Sequence, residues 1–445
     1  MRSRTKDLLI IGFALFAMFL GAGNIIFPPY MGSIAGNRWG LSALGFILTG
    51  TGLPMLGVIA VAKAGGTAAD ISNRVSDNFA LVINTVILTF IGPLFAIPRT
   101  AATTVELSIR PFMPAEIDSK TLLVVSALGF FMICLFFVLT PNQVIDRIGS
   151  ILTPVLIVFL LILIITSIVK PIGRAVAPDF SRVDSGLFHL GFSTGYQTMD
   201  ALASIVFGGT IAHAIFKKGY KGRQASRLMQ GVALVAGLGT MLVYVGFAWI
   251  GASGSAHLQG IQDRTTLTTT AIELLAGQAG KVILALIIFL ACLTTAIGLL
   301  LTAGQYFTAI LKQRFSFRQV TVFLGLISYL ISIMGVEGII NLSTPLLEII
   351  YPVVIVLIVL NLFGEKIKYD EVFVFGVIFS LPLGILQALK TISVTRPQAE
   401  QILTHVPLGP QGFAFFIPAI IGCVLGWFYG RHKEAKLTKA DSPQE

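Results

Sequence analysis

The chain has 445 residues, of which 55% are hydrophobic and only 12% charged, and its mean hydropathy is +0.88. A soluble chain carries roughly 25% charged residues, so this apolar surplus excludes a single aqueous core and requires lipid as the solvent for much of the surface. The net charge of +10 does not indicate nucleic acid, because the basic residues sit in short loops between apolar runs, which is the topology signal of membrane proteins.

A hydrocarbon core of about 30 Å takes roughly 20 apolar residues per helix. That window predicts helices near residues 8–31, 40–62, 79–100, 120–140, 144–169, 186–216, 226–251, 281–311, 319–336, 342–363, 371–391 and 411–430. The first run follows Arg2, Arg4 and Lys6 and continues to about Met31. A signal peptide has a shorter core followed by a small-residue cleavage site, so this run reads as a retained helix.

An even number of spans puts both termini on one side. Lys217, Lys218, Lys221, Arg223 and Arg227 then share the N-terminal side with Lys312, Arg314 and Arg318 and with Arg431, Lys433, Lys436 and Lys439. Most of the positive charge is therefore on that side, which predicts cytoplasmic termini. Between the seventh and eighth helices, residues 252–280 form the longest outer loop. Its apolar stretch Leu267–Ala276 predicts a helix lying on the outer surface as a lid or a structural loop. The polar tail after Arg431 is predicted to be disordered.

Cys134, Cys292 and Cys423 lie inside apolar runs and fit no metal or disulfide spacing. No Gly-x-x-x-x-Gly-Lys phosphate loop occurs, so a gradient is a simpler energy source than nucleotide hydrolysis.

In hydrocarbon a helix should not stop midway unless the freed peptide groups are buried or bind something. Two runs break this rule. The first is Gly21-Ala22-Gly23-Asn24, with Pro28-Pro29-Tyr30 beyond it. The second is Gly191-Phe192-Ser193-Thr194-Gly195-Tyr196-Gln197-Thr198-Met199-Asp200, whose polar content is costly at mid-depth. Interrupted helices at corresponding positions of two halves point to a transporter site. They lie in the first and sixth helices, each the first of five, so the predicted fold is an all-α membrane protein with a five-plus-five inverted repeat. The repeats cover 8–169 and 186–363, two further helices cover 371–430, and short ends occupy 1–7 and 431–445. Half-helix N-termini would face a carboxylate and freed carbonyls would face a cation or ammonium. A zwitterionic amino acid suits such a site.

In the eighth helix, Ala291-Cys292-Leu293-Thr294-Thr295 places two hydroxyls after a carbonyl three residues earlier. Such oxygens can ligate a hard monovalent cation, or the hydroxyls can bond back to the preceding turn. Arg99 follows Gly92-Pro93 and Ile97-Pro98. It could cap a substrate carboxylate, gate with Glu106 or Glu348, or snorkel to the interface. Asp200 at mid-depth needs a partner or a proton and reads as support for the break or as a proton-coupling group. His189 and His213 flank the sixth helix without an assigned role. Gly191-Phe-Ser193-Thr-Gly195 matches a nucleophile pattern, but no strand-to-helix elbow or His–Asp pair accompanies it.

Taken together, these residues resemble the branched-chain amino acid–cation symporters, the bacterial system II carriers for leucine, isoleucine and valine. The resemblance spans the chain. It is carried most specifically by Phe19-Leu-Gly-Ala-Gly-Asn-Ile-Ile-Phe-Pro-Pro29, Gly92-Pro-Leu-Phe-Ala-Ile-Pro-Arg-Thr-Ala-Ala-Thr-Thr104 and Gly195-Tyr-Gln-Thr-Met-Asp-Ala-Leu-Ala203. The organisation is similar to that of LeuT-type sodium symporters. The resemblance implies a sodium site on the carbonyls of Ala17, Leu20 and Ala291 with the hydroxyls of Thr294 and Thr295. It implies that Ala22, Gly23, Asn24, Ser193, Thr194, Gly195, Tyr196 and Gln197 surround the substrate. The expected cofactor is sodium, with a proton as the alternative ion, and the expected location is the cell inner (plasma) membrane. The lipid bilayer and a branched-chain amino acid are the expected partners, with no nucleic acid and no obligatory protein partner. The rival reading is a proton-coupled carrier of other neutral amino acids.

Overall fold

The structure, a computed structural model, describes residues 4–440 apart from 115, 141–152, 184 and 393, with side chains described to residue 436. The described residues form helices, turns and loops, with no strand among them. Among the described residues, seven helical stretches are long and apolar enough to cross a membrane. A further crossing is a pair of shorter helices bent by 43°.

The first predicted helix is two helices, α1 (Arg4–Phe19) and α2 (Ala22–Ala35). The second is α3 (Trp39–Ile47) and α4 (Leu53–Ala64), joined by a wide π turn at Leu48–Gly52. The third is α5 (Asp77–Thr89) and α6 (Ala96–Thr104), and it too is interrupted. Gly92 leaves helical geometry at φ −86°, ψ −118°, beside Pro93, which cannot donate to the preceding turn. The Gly-Pro pair was legible in the sequence, but only two broken spans were expected.

The next spans are α7 (Ser119–Leu139) and α8 (Thr153–Val169). The predicted start of the latter, 144–152, lies outside the described residues. The bent pair is α9 (Leu187–Tyr196) and α10 (Asp200–Lys217). It is followed by α11 (Gly222–Ser253), the short α12 (Ser255–Leu258) and α13 (Arg264–Ile310). The remainder are α14 (Phe317–Ser332), α15 (Gly335–Leu362), α16 (Glu371–Thr391), α17 (Arg396–Leu403) and α18 (Phe416–Ala440). Starts are set by local chemistry. The Asp118 carboxylate accepts the Thr121 N–H, Asp263 accepts that of Thr266, and Ser316 with Gln319 forms a reciprocal cap.

The tail differs from its expectation. Helix α18 continues through Arg431 to Ala440. Its polar part is held by side chains from the preceding loop and α16. Glu434 accepts from Lys368 and from the Tyr369 hydroxyl, and Lys433 bonds Glu371 at 2.8 Å. The Lys368 ammonium, then the Tyr369 hydroxyl, hold the Glu434 carboxyl below its ordinary value.

The chain forms two units, residues 1–55, 86–203 and 227–342, and residues 56–85, 204–226 and 343–445. In the first unit, α3 and α9 cross through reciprocal glycines. A Cβ at Gly191 would lie 1.7 Å from the Ser42 carbonyl oxygen, and one at Gly45 would lie 2.2 Å from that of Phe188. Small residues let membrane helices approach to backbone contact. In the second unit, α18 meets α16 in the same way. A Cβ at Gly422 would lie 2.5 Å from the Phe375 oxygen, and one at Gly426 would lie 2.4 Å from that of Glu371. The obstacles are backbone atoms, which no rotamer change can move. Gly191→Leu is therefore expected to destabilise by about 3 kcal/mol or more, the upper end for overpacking. The readout is loss of monodisperse protein after detergent extraction, and wild-type yield and melting temperature would contradict it.

Candidate functional site

The first helix stops at Leu20–Gly21, and Asn24 manages the break. The Gly21 N–H would close a continuous helix onto the Ala17 carbonyl, but it donates instead to Asn24 Oδ1 at 2.9 Å. Asn24 is only 2% exposed. Its Nδ2 donates to Asp200 Oδ2 at 2.6 Å and also to the Tyr244 hydroxyl, which donates to the same Asp200 oxygen at 2.7 Å. Asp200 opens α10, so its carboxylate lies at a helix N-terminus, where negative charge is favoured. The Asp200 N–H bonds Thr198 Oγ1 at 3.3 Å.

This triad joins the two expected breaks through a residue that sequence reasoning missed. Tyr244 lies inside a long apolar helix with no local signal, and its ring packs edge-on against Phe46 at 5.0 Å. Asp200→Asn keeps an oxygen that can accept both bonds but removes the charge, and with it the extra strength of hydrogen bonds to a charged group, about 1–3 kcal/mol in all. The expected result is a lower melting temperature in detergent together with reduced uptake. Unaltered values of both would show that the carboxylate does not organise the break.

The sixth helix breaks later than the centre of the expected run. Ser193, Thr194, Gly195 and Tyr196 lie within α9, and the irregular residues are Gln197, Thr198 and Met199, with Met199 at φ 64°. The Ser193 hydroxyl bonds the His189 carbonyl at 2.9 Å and that of Thr194 bonds Leu190 at 2.5 Å. Hydroxyls satisfied on the preceding turn need not disrupt a helix. Gly195 is a packing residue, since a Cβ there would lie 2.0 Å from Thr49 Oγ1. The Gly-x-Ser-x-Gly match thus falls on a helix rather than an elbow. Tyr196 stacks edge-on with Phe192 at 5.0 Å.

Arg99 spans the break. It is 3% exposed, and its guanidinium donates to the Gln197 carbonyl at 2.6 Å and to the Thr198 carbonyl at 3.2 Å. It lies 5.4 Å from the Phe27 ring centre. A Cβ at Gly23 would come within 2.9 Å of its Nη2, so the first turn of α2, with Ala22 and Gly23, lies directly against it. The expectation of interface snorkelling is corrected: the side chain is buried on two carbonyls left at the break. Glu106, one suggested partner, accepts instead from Thr265 Oγ1 at 2.9 Å and from the Val336 N–H at 3.0 Å. Glu348 belongs to the second unit.

At the N-terminal edge of the first break, Thr295 Oγ1 donates to the Leu20 carbonyl at 3.3 Å and lies 3.5 Å from that of Met18. Thr294 Oγ1 bonds back to Ala291 at 3.0 Å. Ala17, Leu20, Ala291, Thr294 and Thr295 are all buried. Every donor in this set is a neutral oxygen, and the helical donor to Ala17 is diverted to Asn24. That chemistry fits a hard monovalent cation.

An all-helical chain with paired mid-span breaks defines a class, the LeuT-fold membrane transporters. The solved structure of MhsT in complex with L-phenylalanine aligns with a TM-score of 0.59 at 19% identity, covering 94% of this chain and 98% of that one. Mhp1, a nucleobase-cation-symport-1 family transporter, aligns in a closed conformation with a TM-score of 0.60 at 13% identity, covering 97% and 93%. Within that class, residues 4–433 match the family described as branched-chain amino acid transport protein, and the chain belongs to it. It is 36% identical to the branched-chain amino acid permease BraB of Bacillus subtilis over 95% of both chains. It is likewise 36% identical to the branched-chain amino acid transport system 2 carrier protein of Pseudomonas aeruginosa over 94% of this chain and 95% of that one. The permease BrnQ of Escherichia coli is 33% identical over 98% of both. The chain is thus an integral membrane transporter and not an enzyme.

Proposed function

We propose that this protein imports leucine, isoleucine and valine by sodium symport, through alternating access around the two breaks. The observation that carries the reading is the guanidinium of Arg99, held on the carbonyls of Gln197 and Thr198 and packed against Gly23. It places a buried cation and the N-terminus of α2 together, a pairing suited to a carboxylate. The opposite pole of a zwitterion would meet peptide carbonyls at the break. Ala22, Gly23, Asn24, Tyr196 and Gln197 would surround the substrate, with Ser193, Thr194 and Gly195 in the adjoining turns of α9.

Ala17, Leu20, Ala291, Thr294 and Thr295 would hold the sodium ion, which supplies a positive charge among neutral oxygens. Thr295 ties the last carbonyl of the first half-helix to α13, so ordering this contact also orders the break that receives substrate. By linkage, ion and substrate raise each other's affinity by the same factor. The excess of basic residues on one side supports cytoplasmic termini and a plasma-membrane location. The relatives' names support the choice of branched-chain substrates.

The test is uptake of radiolabelled leucine by proteoliposomes under separately imposed sodium and proton gradients. Saturable uptake driven by inward sodium and inhibited by isoleucine and valine is expected. Uptake that follows only the proton gradient, or competition by other neutral amino acids alone, would replace this reading with the proton-coupled one.

A further inference from the structure

We propose that Arg264 and Glu337, with Glu106 behind them, form a latch that holds the outer lid closed and must release in each transport cycle. The inference uses the orientation given above, in which α13 begins outside the cell. The lid is the first segment of α13, residues 264–276. It is separated from the membrane-spanning remainder by Gly277 at φ 58°, ψ −146°, a conformation that a side chain would oppose. A glycine there gives the lid a pivot of its own.

Three contacts fix the free end of that lid. The Arg264 N–H donates to Glu337 Oε1 at 3.0 Å and its guanidinium donates to Oε2, so the carboxylate is held at two points. The same guanidinium lies 4.5 Å from the Tyr30 ring centre and 5.8 Å from that of Phe27. Both rings belong to α2, the half-helix that starts at the first break. Glu106 then accepts from Thr265 on the lid and from Val336 at the start of α15. Glu106 sits in a π turn, Val105–Ile109, directly after α6. It is seven residues from Arg99, roughly two helical turns, so the break and the latch share one helix.

Partial exposure makes the pair releasable. The Arg264 and Glu337 side chains are 20% and 30% exposed, and Glu337 borders a cleft of about 670 Å³ that also reaches Glu106, Asp263 and Thr265. A fully buried pair would strand two desolvated charges on opening. These two can exchange each other for water, which is what an element with two stable positions needs.

The experiment compares Arg264→Glu, Glu337→Arg and the double reversal in a background with Cys134, Cys292 and Cys423 replaced by alanine. The reporter is Gln197→Cys, labelled from outside by a membrane-impermeant thiol reagent, and uptake is measured in the same background without this reporter. Each single reversal is expected to speed labelling about fivefold, the scale of a partly exposed pair, and to lower the maximal rate of uptake more than it changes KM. The double reversal is expected to return both readouts to within about twofold of the parent. Labelling rates unmoved in the singles, or unrestored in the double, would overturn the latch. Labelling needs no substrate, so a failure of leucine uptake leaves this readout intact. A Leu274→Cys reporter on the lid, reached only from the cytoplasmic side, would instead overturn the orientation.

Discussion

Arg99→Ala is expected to reduce uptake on the order of 100-fold while the protein still inserts. Two peptide carbonyls at the break in the sixth helix, those of Gln197 and Thr198, receive their donors from this side chain. Hydrogen bonds to a charged group are worth about 1.5–3 kcal/mol each. Losing both, with some relaxation around them, removes roughly 3 kcal/mol from the organised site, and each 1.4 kcal/mol is about tenfold in affinity. Lysine keeps the charge but not the planar fork, so Arg99→Lys should recover only a small part of the loss. The measurement is initial uptake divided by the amount of protein at the cell surface. Uptake above half of wild type in the alanine variant would show that the guanidinium does not organise the site. Equal loss in the alanine and lysine variants with normal surface amounts would strengthen the role of the fork.

The second large effect concerns the ion. The double replacement of Thr294 and Thr295 by alanine is expected to raise the sodium concentration for half-maximal uptake at least about tenfold, the equivalent of about 1.4 kcal/mol. Thr295 contacts the Leu20 carbonyl at 3.3 Å, and Thr294 lies on Ala291 in the next turn. Two of the five proposed ligand oxygens disappear in the variant. Insertion should persist, because alanine has the higher helix propensity and neither hydroxyl is the sole support of a helix end. A sodium titration of leucine uptake measures the shift. Sodium dependence equal to that of wild type would remove the ion from this position and leave the threonines as helix-packing groups.

Both expectations stand on parts of the molecule that differ in how far the sequence discloses them. The spans were legible because membrane insertion depends on the composition of a contiguous window. The breaks at Gly21 and beyond Gly195 were legible because glycine clusters and dense polar content are local properties. The exact unwound residues were not. Ser193 and Thr194 could either disrupt a helix or bond back to it, and in α9 they bond back. The interruption beside Gly92-Pro93 shows the converse, a local signal present in the chain whose consequence for Arg99 depended on which carbonyls lay nearby.

The sequence by itself determined a polytopic all-helical transporter with two interrupted spans and an oxygen-rich turn at Thr294–Thr295. Each follows from residues close together in the chain. Only the tertiary structure decided that Asn24, Asp200 and Tyr244 share one cluster, across separations of 176, 44 and 220 residues. It also decided that Arg99 bonds the carbonyls of Gln197 and Thr198 while Glu106 bonds Thr265 and Val336. The physical reason is that a buried polar group is satisfied by whatever donor helix packing brings within about 3 Å, and that partner leaves no periodic trace in either segment.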